Sequence, residues 1–459
     1  MPSVLPEAIK PFSILNMRKV ILTLFVATAI SSMAQSSMEL TATEVATRMS
    51  PGWNLGNTLE AGDSRNNFTN NGGLSAETAW QGTKTTQAVI DFVKAQGFRS
   101  IRIPCAWVMG HIIDASDYTI DPVWMNRVKE IVDYSLKAGL YVVINQHWDG
   151  GWLENNIKDA TLIPKNKFIL NKIWQQIAET FRDYDERLLF AGLNEPNADT
   201  QSATNNLVEY EQEFINTVRA SGGNNALRVL IIQGPGTNID HTCNFLTKLP
   251  TDPAAQRMMV EVHYYAPWQF WGMEKDESWG KVFYYWGKDN HVSGSQHNAT
   301  HSEEEYMEEE LEKMKTMFAD KGIPVYIGEF GANWRTISGS GESQEKHNAS
   351  IKHHYKTLMK KCFAKGLIPV VWDTNYLNRP SMTIINRQAL SIYNNYMMSG
   401  IHEAMEESGI PVTAVQAVHT NQSAGSGVYN LQGQYVCSTL LSSLPSGFYI
   451  HNGTKYVVK

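Results

Sequence analysis

A chain of 459 residues with 42% hydrophobic residues and 33 glycines is long enough to bury a large core, and its balance is that of a globular protein rather than a low-complexity one. The net charge of -7 argues against nucleic acid or an anionic membrane surface as partner and leaves a neutral polymer as a natural ligand. The four cysteines, Cys105, Cys243, Cys362 and Cys437, form no CxxC pair, which speaks against a zinc or redox motif and against a disulfide-dense scaffold.

Met17-Arg18-Lys19, the apolar run Val20 to Ile30 and Ser32-Met33-Ala34 have the three regions of a signal peptide, with a core too short to span a bilayer stably. Residues 1–34 are therefore expected to be upstream residues and a leader starting at Met17, cleaved after Ala34, and the mature protein to be secreted, whether extracellular, at the cell surface or in the periplasm.

From Leu40 onward, strand-like runs alternate with amphipathic helices. Strands are predicted over Trp53 to Asn57, Ser100 to Pro104, Tyr141 to Gln146, Leu188 to Asn194, Arg228 to Gln233, Met258 to His263, Pro324 to Gly328 and Ile368 to Trp372. The gaps are long enough for helical crossovers, and the apolar stripes Val128-Ile131-Val132-Leu136, Ile169-Ile173-Ile177-Phe181 and Ile351-Tyr355-Leu358-Cys362 supply helices in three of them. The last stripe makes Cys362 a core residue. Ser302 and Glu305 have capping-box spacing ahead of the acidic run Glu303 to Glu312. Eight such units predict a parallel (β/α)8 barrel over residues 35–400, of the TIM type, with its site at the C-terminal ends of the strands. Beyond it the chain turns polar: 401–427, with Gln422 to Gly427, reads as a linker, and 428–459 as a small β tail of short hairpins.

Two runs stand out. Leu188 to Leu193 and Ile323 to Gly328 are apolar and each ends in a carboxylate, Glu195 and Glu329. One such ending is commonly a solvated charge; two at the rim of a barrel core are the material of a glycosidase, in which a protonated and an ionised carboxyl share the work. The histidines His297 and His301, spaced i, i+4, lack a third metal ligand at a suitable interval and read as loop residues; no metal and no cofactor is expected.

With these glutamates, the motifs Gly52-Trp53-Asn54-Leu55-Gly56-Asn57-Thr58, Ile101-Arg102-Ile103-Pro104, Asn145-Gln146-His147, Asn194-Glu195-Pro196, His263-Tyr264-Tyr265, Gly328-Glu329-Phe330-Gly331 and Trp372 resemble glycoside hydrolase family 5, the cellulase-like retaining enzymes. The resemblance runs from about Leu40 to Ser399. It implies Glu195 as acid/base and Glu329 as nucleophile, with Arg102 and Tyr265 beside Glu329, His263 nearer Glu195, and Asn194 at the sugar 2-hydroxyl. His147 corresponds to the family's third-strand histidine, and Trp372 would be the floor under the reacting sugar. Trp148 departs from many relatives, which place a second histidine there. The tail resembles the C-terminal β-modules of secreted Bacteroidetes-type proteins, some of which direct secretion.

The resemblance implies a monomeric retaining endo-β-1,4-glucanase acting on cellulose-type or mixed-linkage β-glucan. A xyloglucanase or β-mannanase of the same family, or a barrel that binds polysaccharide without cleaving it, are the alternatives. Loops choose the polymer. The segment Ala266 to Ser302, with Trp268, Trp271, Trp279 and Trp286, reads as an aromatic flank extending an open groove.

Overall fold

The computed structural model describes residues 38–62 and 72–412, and in the tail the segments 428–430, 435–437, 447–451 and 454–458. The leader, the proposed cleavage site and Gln422 to Gly427 lie outside the described residues.

All eight predicted strands form, and they close one parallel barrel in which each pairs with its neighbour in the chain and the first with the last. They are β1 (Gly52–Asn54), β2 (Ser100–Ile103), β3 (Tyr141–Asn145), β4 (Leu188–Ala191), β5 (Leu230–Gln233), β6 (Met258–Tyr264), β7 (Val325–Phe330) and β8 (Ile368–Val371). β4 stops short of the predicted Asn194 because the Leu193 N–H donates to the side-chain Oε1 of Gln233, at 2.7 Å, instead of to a strand carbonyl.

The helices pack outside this cylinder: α1 (Ala42–Met49), α2 (Gln87–Ala95), α3 (Pro122–Lys137), α4 (Ile163–Thr180), α5 (Gln201–Ala220), α6 (Ile239–Phe245), α7 (Glu304–Met317), α8 (Gln344–Lys365) and α9 (Asn395–Glu407). The stripes on α3, α4 and α8 face the strands, and Cys362 is fully buried. α8 ends at Gly366, whose φ of 68° is the left-handed cap that a glycine adopts without strain. α1 differs from the rest. Its Val45, Ala46 and Met49 join the inward-facing Val143, Ile231, Tyr326 and Val370 in one apolar cluster that stops the N-terminal end of the barrel. The opposite mouth is left for polar groups.

Two expectations are corrected. Ser302 does not cap α7: it has φ 58°, its carbonyl accepts from Trp286 Nε1 at 2.9 Å, and the cap position passes to Glu303. The Glu303 carboxylate is drawn away to the Gly287 N–H and to His291. The polar stretch after residue 400 is not linker at its start. Residues 401–407 belong to α9, whose Met397, Met398, Ile401, Ala404 and Met405 are buried and whose Glu403 and Glu407 pair with Lys352, Lys356 and Lys360 of α8. The polarity was the outer face of an amphipathic helix. The barrel unit consequently reaches Thr413, and a second unit, Ala414–Lys459, holds four short antiparallel strands. Among the described residues no helix is long and apolar enough to cross a membrane.

Candidate active site

Because side chains alternate along a strand, every second residue of β6 points into the barrel. Glu261, His263 and Tyr265, just past its end, form such a series. On β7 the pairing slips by one residue beside Val262 and His263, so that Glu329 lies opposite His263. The slip occurs at Gly328, where a Cβ would stand 1.9 Å from a carboxylate oxygen of Glu261; only a residue without a side chain lets that carboxylate lie against the strand.

Arg102, on β2 and fully buried, is the hub. It donates through Nη1 to Glu329 Oε1 (2.9 Å) and to Asn54 Oδ1 (3.1 Å) and through Nη2 to Asn194 Oδ1 (2.7 Å), while its Nε lies 3.0 Å from Glu261. Tyr265 donates its hydroxyl to the other oxygen of Glu329 at 3.0 Å. His263 Nδ1 lies 2.8 Å from Glu195 and 3.9 Å from Glu329, and Nε2 lies 3.2 Å from Glu261. Oxygen atoms of Glu195 and Glu329 and a ring nitrogen of His263 all fall within 4.8 Å of one another. That is the close spacing at which one carboxyl can attack while the other donates a proton.

Burial pulls the His263 imidazolium down, but Glu329, Glu195 and Glu261 around it outweigh that and raise its pKa to about 10. The ring is therefore a cation with both nitrogens donating to carboxylates, which fits proton transfer. Burial pushes Glu329 up, opposed by His263 and Arg102. Burial likewise pushes Glu195 up, but the hydrogen bond from His263 overcomes it and its carboxyl is lowered. The shared proton thus rests on His263.

Above this cluster a cleft of about 540 Å3 is lined by Glu195, His263, Tyr265, Glu329, Trp271 and Trp372, with Tyr376 and Arg379 farther out. The guanidinium of Arg379 lies 3.7 Å from the Tyr376 ring centre. His147 lies nearly parallel to Trp372, ring centres 6.0 Å apart, and burial keeps it neutral. All eight predicted site residues, Arg102, His147, Asn194, Glu195, His263, Tyr265, Glu329 and Trp372, are thus drawn to one mouth of the barrel.

The aromatic segment divides. Trp271 packs on Tyr265 with ring centres 4.5 Å apart, and Trp268 meets Trp271 edge-on and is 47% exposed. Trp279 is 64% exposed, whereas Trp286 is fully buried and belongs to the core, not to a groove. His297 stacks on Tyr284 and turns Nδ1 to the Val282 carbonyl, and His301 bonds Ser302, so the two point to separate partners.

Three functional neighbours escaped sequence reading. Asn54 left a trace in its motif, and Glu261 left one in its two-residue spacing from His263, although it sits inside an apolar run. Glu154 left none. It lies in a one-turn helix after β3, 5% exposed, and its Oε1 accepts the Glu195 N–H at 2.6 Å.

Comparison with known proteins agrees with this geometry. The model of the family "Cellulase (glycosyl hydrolase family 5)" matches residues 62–378. Endoglucanase A of Paenibacillus barcinonensis is 34% identical over 395 residues, 81% of this chain and 92% of its own. A xyloglucan-specific endo-β-1,4-glucanase of Bacteroides ovatus is 36% identical over 357 residues, covering 74% and 66%. Among solved structures, a family 5 xyloglucan-specific β-1,4-glucanase from a ruminal metagenomic library, bound to the oligosaccharide XXLG, superposes with a TM-score of 0.73 at 44% identity over 81% of this chain and 98% of that one. With an eight-stranded barrel, two carboxylates at its C-terminal mouth and these relatives, the chain belongs to glycoside hydrolase family 5.

Proposed function

We propose that this enzyme cleaves internal β-1,4 bonds of a glucan backbone with retention of configuration, Glu329 attacking the anomeric carbon and Glu195 protonating the departing oxygen. The observation that carries the roles is the asymmetry of the pair. Glu329 is held on both oxygens by Arg102 and Tyr265, which favour a charged nucleophile. Glu195 keeps nearly half its side chain open to the cleft, where a leaving group would lie. A sugar entering the cleft removes water from Glu195 and raises its carboxyl, and the proton moves to it from His263 across their 2.8 Å contact. The first step forms a covalent bond from Glu329 to the anomeric carbon and breaks the glycosidic bond. Glu195, now ionised, then takes a proton from the water that releases the sugar. Asn194, fixed by Arg102, is placed to bind the 2-hydroxyl.

Trp271 in the cleft wall, with the exposed Trp268 behind it, supplies flat apolar surface for further glucose rings and favours mid-chain cutting. Xyloglucan is the second reading, favoured by the 44% identical relative. Reducing-sugar release compared across xyloglucan, mixed-linkage glucan, carboxymethyl cellulose and mannan tests both; mannan as the preferred polymer would refute the glucan assignment. Viscosity of the preferred polymer should collapse before many reducing ends appear. For the roles, azide should rescue Glu195→Ala on an activated aryl glycoside and give the azide of retained configuration, an inverted azide being the contrary result. Residues 17–34 further support export, tested by N-terminal sequencing of the released protein, which should begin after Ala34.

A further inference from the structure

We propose that Glu154 is a positioning residue of the hydrolytic step, a buried carboxyl that fixes the acid/base Glu195 through its backbone; the proposal rests on the roles assigned above. Beyond the end of β4 the chain leaves the sheet, and its N–H groups must find other acceptors. Leu193 finds Gln233, and Glu195 finds Glu154 Oε1 at 2.6 Å. Pro196 has no N–H, and the Asn197 N–H returns to the Glu154 carbonyl at 3.2 Å. Residue 154 therefore holds the turn at two points, one on each side of the proline.

The Asn194 side chain, whose oxygen is held by Arg102, is near enough to help lower the same carboxyl. Glu154 thus stands beside both the acid/base backbone and the clamp on the nucleophile. Among the described residues no lysine, arginine or histidine pairs with it. Burial, with the charges of Glu195 and Glu329, raises its carboxyl to about 8, so it accepts without adding a further negative charge to those of Glu195, Glu261 and Glu329.

A residue that acts through Glu195 should matter most where the leaving group needs protonation. The test compares kcat/KM for 2,4-dinitrophenyl and phenyl glycosides of one cello-oligosaccharide, the first departing without an acid and the second requiring one. Glu154→Ala should lose roughly tenfold or more on the phenyl glycoside beyond its loss on the dinitrophenyl one, and Glu154→Gln, which keeps a neutral acceptor, should stay near wild type on both. Equal losses on the two substrates, no loss on either, or a Gln variant as impaired as Ala would overturn the proposal. If the Ala variant does not fold, Glu154→Asp, which withdraws the acceptor by one methylene, carries the same comparison. Glu195→Gln serves as the control. Should it lose both substrates equally, the role of Glu195 is wrong; should it show the leaving-group dependence while the Glu154 variants do not, only this inference fails.

Discussion

Replacing Gly328 by alanine adds one methyl group where the barrel has no space for it. The new carbon would stand 1.9 Å from Oε1 and 2.7 Å from Cδ of Glu261, so that carboxylate must swing away. Gly328 is not among the glycines with positive φ, so the effect would be steric rather than conformational. Glu261 is held by Gln233 Nε2 at 2.6 Å, by Arg102 Nε at 3.0 Å and by His263 Nε2 at 3.2 Å. Each such charge-assisted contact contributes about 1.5–3 kcal/mol, and uncoupling a buried ion pair costs about 3–5 kcal/mol, so a destabilisation of about 3–5 kcal/mol is expected. Arg102 and His263 also touch Glu329 and Glu195, the pair proposed to react, and a displacement near 1 Å there lowers turnover by about 100-fold. Equilibrium urea unfolding followed by tryptophan fluorescence, together with kcat on a soluble β-glucan, measures both. A variant whose unfolding midpoint and kcat match the wild type would refute the claim that Glu261 is pinned against a side-chain-free strand.

The remaining predictions follow from single contacts. Glu329→Gln and Glu195→Gln should each lower kcat on an unactivated glucan by several orders of magnitude while leaving the circular dichroism spectrum unchanged. Tyr265→Phe removes a hydrogen bond to a carboxylate, about 1.5–3 kcal/mol, and should cost roughly 10- to 100-fold in kcat/KM. Glu60, Glu154 and Glu211 are buried carboxyls raised chiefly by burial to about 7, 8 and 8, so the native chain holds protons that the unfolded chain releases above about pH 4.5. His263, raised to about 10, contributes stability that is complete below its unfolded pKa of about 6.5 and lost as the pH climbs through 10. The buried His111, His147, His347 and His354, held neutral in the native chain, favour stability as the pH rises to about 6.5 and drop out above it, so the melting temperature should fall from about pH 7 to pH 9, and a flat or rising curve over that window would contradict these assignments. A chain ending at Val412 should keep its specific activity, since no residue lining the cleft lies beyond Met382; a chain ending at Ser399 should be unstable, because it cuts α9.

The barrel and the residues gathered at its mouth were legible because both leave one-dimensional marks. Buried parallel strands are unbroken apolar runs, and the residues at the mouth stand where those runs end. Arg102 between Ile101 and Ile103 had no reason to be there except a buried partner. Glu261 was hidden for the opposite reason: it lies inside such a run, and nothing local shows that Gly328, many residues later, makes room for it. Glu154 was silent because its role is exerted on the backbone of another loop. The boundary after the barrel was misplaced since α9 is amphipathic and its polar face dominates the stretch from His402 to Gly409.

Arg102 and protonated His263 stand among three carboxylates, Glu195, Glu261 and Glu329, all of them buried except Glu195. With the proton moved from His263 to Glu195 for the proposed reaction, the group carries one net negative charge. Forming the glycosyl ester removes the charge of Glu329, and the proton lost by Glu195 creates one a few ångströms away. The step therefore moves a negative charge sideways without changing the total, so the surrounding barrel has no net field change to accommodate, and dipoles already in place serve both ends of the transfer.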